Sequence, residues 1–406
     1  MRRSETIAHC NGAVAKSRKV LVCPVHPVGS SVHPGTSVPC PIGSTARSSG
    51  SIAVNGRNRQ QIDAYGALRA PSRRGVTGTM ARVVVTGAGG FIGHHLVKHL
   101  KAQGHWVRGV DIKLPEYEPT AADEFMVLDL REKPNCLAAT ADVEQVYALA
   151  ADMGGMGFIS KYHAQILHNN ILISTHTLDA ARMNGVKRLL YTSSACIYPE
   201  YLQTDAEVTP LKEEDAYPAM PQDAYGWEKL VTERLCEHYR LEYGIETRVV
   251  RFHNIFGPLG TWDGGREKAP AAMCRKIAVA KRTGDPTIDI WGDGEQTRSF
   301  CYIDDCVVGI EKLMQSDYHQ PLNLGQDRLI TINELAEMVA DAADVEIVRN
   351  HIDGPQGVRG RNSDNSRLRE VLQWEPEISL EDGLARTYAW IEQQVLAREG
   401  AAVTAG

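Results

Sequence analysis

Four side chains between residues 194 and 229 have the types and spacing to move protons. Tyr225 and Lys229 stand at i and i+4, so on a helix they share one face. A free tyrosine has a pKa of about 10 and is a poor base at neutral pH. A lysine one turn later supplies positive charge that lowers that pKa. Ser194 can donate to the same substrate oxygen as Tyr225. Cys196, two residues further on, is a second acid or base, because nearby cations favour a thiolate. Oxidising an alcohol needs one proton relay. A thiol beside that relay points to a carbon acid that is deprotonated as well. Alone, Tyr-x-x-x-Lys is usually surface decoration and a strand-end Cys a small buried hydrophobe. The elements around them have to decide.

Residues 82–86 (RVVVT) read as a buried parallel strand, and 87–93 (GAGGFIG) as a Gly-rich turn into a helix carrying Ile92, Leu96 and Leu100. Gly87 permits the tight turn, Gly90 lets backbone approach a pyrophosphate, and Gly93 lets helix pack on strand. The phosphates then meet the free N–H groups of the first helical turn, around Phe91 and Ile92. In this strand–turn–helix context the motif predicts dinucleotide binding. Asp111 ends the second strand (106–110), where a carboxylate binds ribose hydroxyls and repels a 2′-phosphate, so NAD is favoured over NADP. Lys113 argues mildly the other way. Asp129 reads equally as an adenine contact and as a helix cap. The small-residue strand end Leu149-Ala150-Ala151 passes close to the cofactor.

Further strands are expected at 125–128, 145–149, 188–192 and 247–252, and helices at 168–184 and 225–243. The alternation implies an α/β fold, a doubly wound parallel Rossmann sheet with right-handed crossovers. Residues 80–253 are then mainly the NAD-binding domain. Residues 254–396 form mainly a smaller C-terminal substrate-binding lobe, with possible chain crossings back and a last helix over about 380–396. A flexible end covers 397–406. Ligands belong between the lobes, above the carboxyl ends of the strands.

The charge is unevenly spread. Residues 1–80 hold 11 of the 44 Lys+Arg and 2 of the 50 Asp+Glu, so the remainder is acidic. That argues against nonspecific nucleic-acid binding, and an anionic ligand must be met by local Arg and Lys. No apolar run reaches the roughly twenty residues of a membrane helix. The nine cysteines show no metal spacing; Cys10, Cys23 and Cys40 lie in the basic tail, and the rest read as reduced thiols in a cytosol-like compartment; no metal is expected. Residues 1–79 have a disorder-like, Arg- and Ser-rich, acid-poor composition. They read either as an organelle transit peptide or as upstream sequence joined by a misplaced start codon ahead of Met80.

Over about residues 81–395 the chain resembles the extended short-chain dehydrogenase/reductase family. Within it, five stretches are similar to the GDP-mannose 3,5-epimerases: 150–158 (AADMGGMGF), 193–200 (SSACIYPE), 264–270 (GGREKAP), 291–300 (WGDGEQTRSF) and 357–364 (GVRGRNSD). The resemblance implies bound NAD and an oxidise–epimerise–reduce cycle on GDP-mannose, giving GDP-L-galactose, or GDP-L-gulose by inversion at C5 alone, in L-ascorbate biosynthesis. It implies Tyr225, with Lys229 and Ser194, at the sugar 4-hydroxyl, and Cys196 and Lys268 as the acid–base pair at carbon. Ala195, Gly154, Asn254, Glu267 and Lys276 match substrate contacts. Gln296, Arg298 and Arg361 match residues near the diphosphate, where an Arg fork suits phosphate oxygens. It also implies a cytoplasmic homodimer.

A nucleotide-sugar 4,6-dehydratase would carry an Asp-Glu pair where this chain has Ala195 and Cys196. A 4-epimerase needs no Cys–Lys pair, and a noncatalytic NAD sensor would tend to lose Tyr225 or Lys229. If the tail lies outside the fold, a truncation starting at Met80 keeps melting temperature and turnover. A collapse of either would show that residues 1–79 pack on the enzyme.

Overall fold

The computed structural model describes residues 80–404, with side chains through Arg398. The expectations for residues 1–79 lie outside the described residues. The first half contains β1 (Arg82–Thr86), α1 (Phe91–Ala102), β2 (Trp106–Asp111), β3 (Glu124–Val127), α2 (Lys133–Ala139), β4 (Gln145–Ala148), α3 (Met156–Ile159), α4 (His163–Met183), β5 (Arg188–Ser194), α5 (Ala224–Tyr243) and β6 (Glu246–Phe252). The second contains β7 (Ile255–Phe256), α6 (Ala269–Thr283), β8 (Thr287–Trp291), β9 (Thr297–Arg298), β10 (Cys301–Tyr302), α7 (Ile303–Gln315), β11 (Leu322–Leu324), β12 (Ile330–Thr331), α8 (Ile332–Ala343), β13 (Val348–Ile352), β14 (Gly360–Arg361), α9 (Ser366–Leu372) and α10 (Leu380–Thr404).

Seven parallel strands form the central sheet in the order β11-β6-β5-β4-β1-β2-β3. Period-two alternation sorts its apolar side chains to two faces. Val83 and Val85 join Leu96, Val97 and Leu100 of α1 in one core. Val84 joins Val146, Leu189 and Val249 against Leu178 of α4 and Cys236 of α5 in the other. Covering both faces requires helices on both sides, and each fully buried valine contributes about 1.5–3 kcal/mol.

The strand order reverses between β1 and β4, which opens a crevice at their carboxyl ends. The chain recrosses into the sheet after residue 254, since β11 pairs with β6 through Leu322–Leu324. The remaining short strands pair as β7 with β10, β9 between β12 and β14, and β8 with β13. Two helices differ from expectation. α4 begins at His163 with Tyr162 at its N-cap and no side-chain cap bond, so the sequence carried no start signal there. α10 continues past 396 to Thr404, anchored by buried Leu384, Tyr388, Ile391 and Val395. Among the described residues no helix is long and apolar enough to cross a membrane.

Beneath the carboxyl end of β5 lies a buried ion pair. Arg251 on β6 donates through Nε and Nη2 to Glu233 on α5 at 2.9 and 2.7 Å, and through Nη1 to the Glu213 carbonyl at 2.7 Å. Ser193 Oγ donates to the same carboxylate at 2.5 Å. Removing one partner strands the other charge in the core. Arg251→Met is therefore expected to lower unfolding free energy by about 3–5 kcal/mol, read by urea denaturation followed by circular dichroism.

Candidate active site

The cofactor crevice is built where β1 turns into α1. Gly87 takes φ +73°, which closes the turn, and its carbonyl accepts the Gly90 N–H at 3.1 Å. A Cβ on Gly93 would lie 2.1 Å from the Gly87 carbonyl oxygen, so this helix seats on this strand only with glycine there. The N-cap, Gly90, makes no side-chain cap bond, and the first-turn N–H groups at Phe91, Ile92 and Gly93 face the crevice mouth as an anion cradle. Asp111 lies at the end of β2, and its Oδ2 accepts the Gly89 N–H at 3.0 Å while Oδ1 accepts that of Ile112 at 2.6 Å. Burial lifts this carboxyl above its ordinary value, against the pull of those N–H groups. Thr86 Oγ1 accepts the N–H groups of Leu149 and Ala150, both at 3.1 Å, and so ties the small-residue end of β4 to the turn. A dinucleotide's phosphates and ribose fit these groups. Asp129 instead holds the turn before α2: Oδ1 accepts the Arg131 N–H at 2.9 Å, and the Arg131 side chain pairs with both oxygens, keeping the carboxyl below its usual range.

The proton-handling groups meet where β5 ends. Gly226 is the device that brings them together, because a Cβ there would lie 2.2 Å from the Cys196 carbonyl oxygen. Asp223 caps α5 by accepting the Gly226 N–H at 2.8 Å. The first turn of α5 thus lies directly on the 3-10 turn Ala195–Ile197. Ser194 Oγ accepts the Cys196 N–H at 3.1 Å and acts on the neighbouring Tyr225 phenol, which it lowers. Ala195 is buried behind them.

Lys229 is buried, donates to the Thr192 carbonyl at 3.0 Å, and stands 5.5 Å from the Tyr225 ring centroid. Burial nevertheless holds the Tyr225 phenol well above its ordinary value, with Cys196 and Glu228 acting in the same direction and Ser194 against. Burial thus dominates over the expected lowering by Lys229, whose ammonium also lies 3.7 Å from Glu228. Glu228 is fully buried, and burial lifts its carboxyl too. Asn170 donates to Glu228 at 3.0 Å and to the Asp152 carbonyl at 3.1 Å, and accepts the Asp152 N–H at 2.6 Å. Sequence reasoning missed Gly226, Glu228 and Asn170, since only contacts distant along the chain give them meaning.

Cys196 is half-buried, and Arg361 Nη1 donates to its sulfur at 3.3 Å. Arg361 and Arg298 are register partners on β14 and β9. Arg298 donates to the carbonyls of Thr297 and Val358, both at 2.7 Å. Its guanidinium is lowered to about 9, by burial and then by Arg361. Lys268, at the N-cap of α6, is lowered by burial; its electrostatic partners are the thiols of Cys196 and Cys306 rather than any carboxylate. So Ser194, Cys196, Tyr225, Lys229, Lys268, Arg298 and Arg361 gather in one region.

The other candidate residues surround it. Gly154 precedes α3, in the loop whose Gly155 N–H bonds the Arg266 carbonyl at 3.0 Å. Asn254 has φ +46° and donates to the Ser299 carbonyl at 2.9 Å. Glu267 accepts from the Gly265 N–H at 2.7 Å and Arg275 at 3.0 Å, which shapes the loop before Lys268. Gln296 donates to the Trp291 carbonyl at 3.0 Å and leaves a buried Oε1 with no hydrogen-bond partner. Lys276 points to β8, donating to the Asp289 carbonyl at 2.5 Å.

GDP-mannose 3,5-epimerase 1 of Oryza sativa subsp. indica is 54% identical over 316 residues, covering 77% of this chain and 82% of that protein. GDP-mannose 3,5-epimerase of Arabidopsis thaliana is 52% identical over 316 residues, covering 77% and 83%. Among solved structures, UDP-glucose 4-epimerase of Thermotoga maritima with UDP-glucose superposes with a TM-score of 0.70 at 26% identity, covering 77% of this chain and 99% of that one. The model of the NAD dependent epimerase/dehydratase family matches residues 83–325, more than half of the sequence, and the chain belongs to that family.

Proposed function

We propose that this protein is an NAD-dependent GDP-mannose 3,5-epimerase, acting through a 4-ketone to give GDP-L-galactose, or GDP-L-gulose when only C5 inverts. The observation that carries the reading is the half-buried thiol of Cys196, held beside Tyr225 with Arg361 on its sulfur and within electrostatic range of Lys268. A 4-epimerase or simple dehydrogenase has no use for a second acid–base pair there. The names of the relatives, 52–54% identical over 316 aligned residues, point the same way.

When bound, NAD accepts a hydride and returns it. In this reading Tyr225 Oη and Ser194 Oγ hold the sugar 4-oxygen, and Tyr225 takes its proton and later gives it back. The 4-ketone acidifies the adjoining C–H bonds. Cys196 as thiolate takes the carbon's proton on one face, and the Lys268 ammonium supplies a proton to the other. Burial eases that transfer, because an ammonium with a lowered pKa is a stronger acid. Asp111 binds the ribose hydroxyls, and the first turn of α1 binds the pyrophosphate. Glu267, Lys276, Asn254, Gln296, Arg298 and Gly154 are assigned to the nucleotide sugar in the same reading. A homodimer in the cytoplasm belongs to it as well, and analytical ultracentrifugation and imaging of a full-length fusion test those two parts.

Asp111→Ala is expected to weaken NAD binding by about tenfold and to relax discrimination against NADP. An unchanged preference in a binding titration would move the ribose contact elsewhere. Cys196→Ser replaces the thiol by a hydroxyl of far higher pKa. It should abolish epimerised product and deuterium uptake at C5 from heavy water, while slow oxidation still raises NADH absorbance. Tyr225→Phe should block both steps, since no ketone forms, and Lys268→Met should impair reprotonation. Deuterium uptake at the wild-type rate in Cys196→Ser would reduce Cys196 to a packed thiol.

A further inference from the structure

Gln203 lies outside every motif and is fully buried. It follows the 3-10 turn Glu200–Leu202, and both ends of its amide are engaged. Nε2 donates to the carbonyls of Tyr198 and Pro199, each at 3.1 Å, and Oε1 accepts from Arg361 Nε at 2.5 Å. Two carbonyls on one side and a guanidinium on the other admit only this orientation of the amide, because the flipped form would oppose like groups at all three contacts. The Gln203 backbone carbonyl also accepts the N–H groups of Arg359 at 2.9 Å and Gly360 at 3.2 Å. One residue therefore fixes both the strand that carries Arg361 and the direction of its side chain.

Four cationic or titratable groups face the Cys196 sulfur: Tyr225 from α5, Lys268 at the start of α6, Arg298 from β9 and Arg361 from β14. Tyr225 and Lys268 exchange protons during the proposed reaction. Arg298 is occupied by backbone carbonyls. Arg361 is the cation in hydrogen-bond contact with the sulfur. We propose that Gln203 is a positioning residue for proton transfer at carbon, which aims Arg361 at Cys196 and holds a positive charge on the sulfur. This rests on Cys196 being the carbon base.

The test follows alkylation of Cys196 by iodoacetamide against pH, resolved by peptide mass spectrometry, in the NAD-loaded full chain. Gln203→Met keeps the side-chain volume and removes the amide. It should raise the pH of half-maximal alkylation by about one unit. C5 deuterium uptake at neutral pH should fall about tenfold with little change in KM. Arg361→Met should shift the profile at least as far, and the double variant no further, because residues acting through one contact are not additive. An unchanged profile in Gln203→Met, additive shifts, a shifted profile with normal deuterium uptake, or a loss confined to KM would each overturn the proposal. Arg361→Lys keeps the charge and leaves Gln203's bonds to Tyr198 and Pro199 intact, but has no Nε–H for the amide. It should behave as Gln203→Met does, and a wild-type profile would sink the idea even if Gln203→Met fails to fold. Alkylation reads the sulfur whatever the substrate, so a failure of the epimerase reading, seen as persistent deuterium uptake in Cys196→Ser, is distinguishable from a failure at Gln203.

Discussion

The seating of α5 on the Cys196 carbonyl is the constraint from which the site follows. No side chain fits between them, so residue 226 has to be glycine. With that distance closed, Tyr225 comes beside Ser194 and Cys196, and Lys229, one turn on, reaches the Thr192 carbonyl. A larger residue at 226 would lift the helix and separate the oxygen-handling pair from the carbon-handling thiol. In the proposed reaction, chemistry at two neighbouring atoms of one sugar would depend on this helix–turn contact.

That contact is supported from below by polar groups that are costly to bury and more costly to leave unpaired. Arg251 and Glu233 lock β6 to α5, and Ser193 joins them from β5. On the other side, Glu228 and Asn170 run from Lys229 to the Asp152 backbone in the loop before α3. Asp152 also accepts from Asn169 at 3.0 Å, while Arg266 lies 3.8 Å over the Phe158 ring. The loops around the substrate region are therefore bound to the helix that carries the catalytic pair. Their positions are coupled through directional bonds rather than through apolar packing alone.

Much of this could be read in advance, for physical reasons. The strands of the first half fall within a residue or two of expectation because buried parallel strands are near-continuous apolar runs, as in Val83–Val85. The Gly-rich turn and Tyr225–Lys229 were legible because their geometry is local: a turn needs positive φ, and i and i+4 share a face. α4 was placed late because nothing caps it, and α10 was ended early because its final turns carry no apolar stripe. Gln203 could not be found from the sequence, since its partner lies 158 residues away. Likewise the partners of Asp129 and Lys276, Arg131 and the Asp289 carbonyl, are visible only in the fold.

The pairing of β9 with β14 sets Arg298 opposite Arg361, so two guanidiniums share one buried neighbourhood. Like charges held together oppose folding, and burial adds a desolvation cost to each. Within the fold, Arg361 donates to the Cys196 sulfur and Arg298 to backbone carbonyls. A dianionic group entering this region would relieve repulsion that the folded chain otherwise bears. Ligand affinity and chain stability then become two readings of one quantity, since an anion that binds only the folded form shifts the unfolding equilibrium by its own binding free energy. The strand register itself thus builds a concentration of positive charge that any bound anion would relieve.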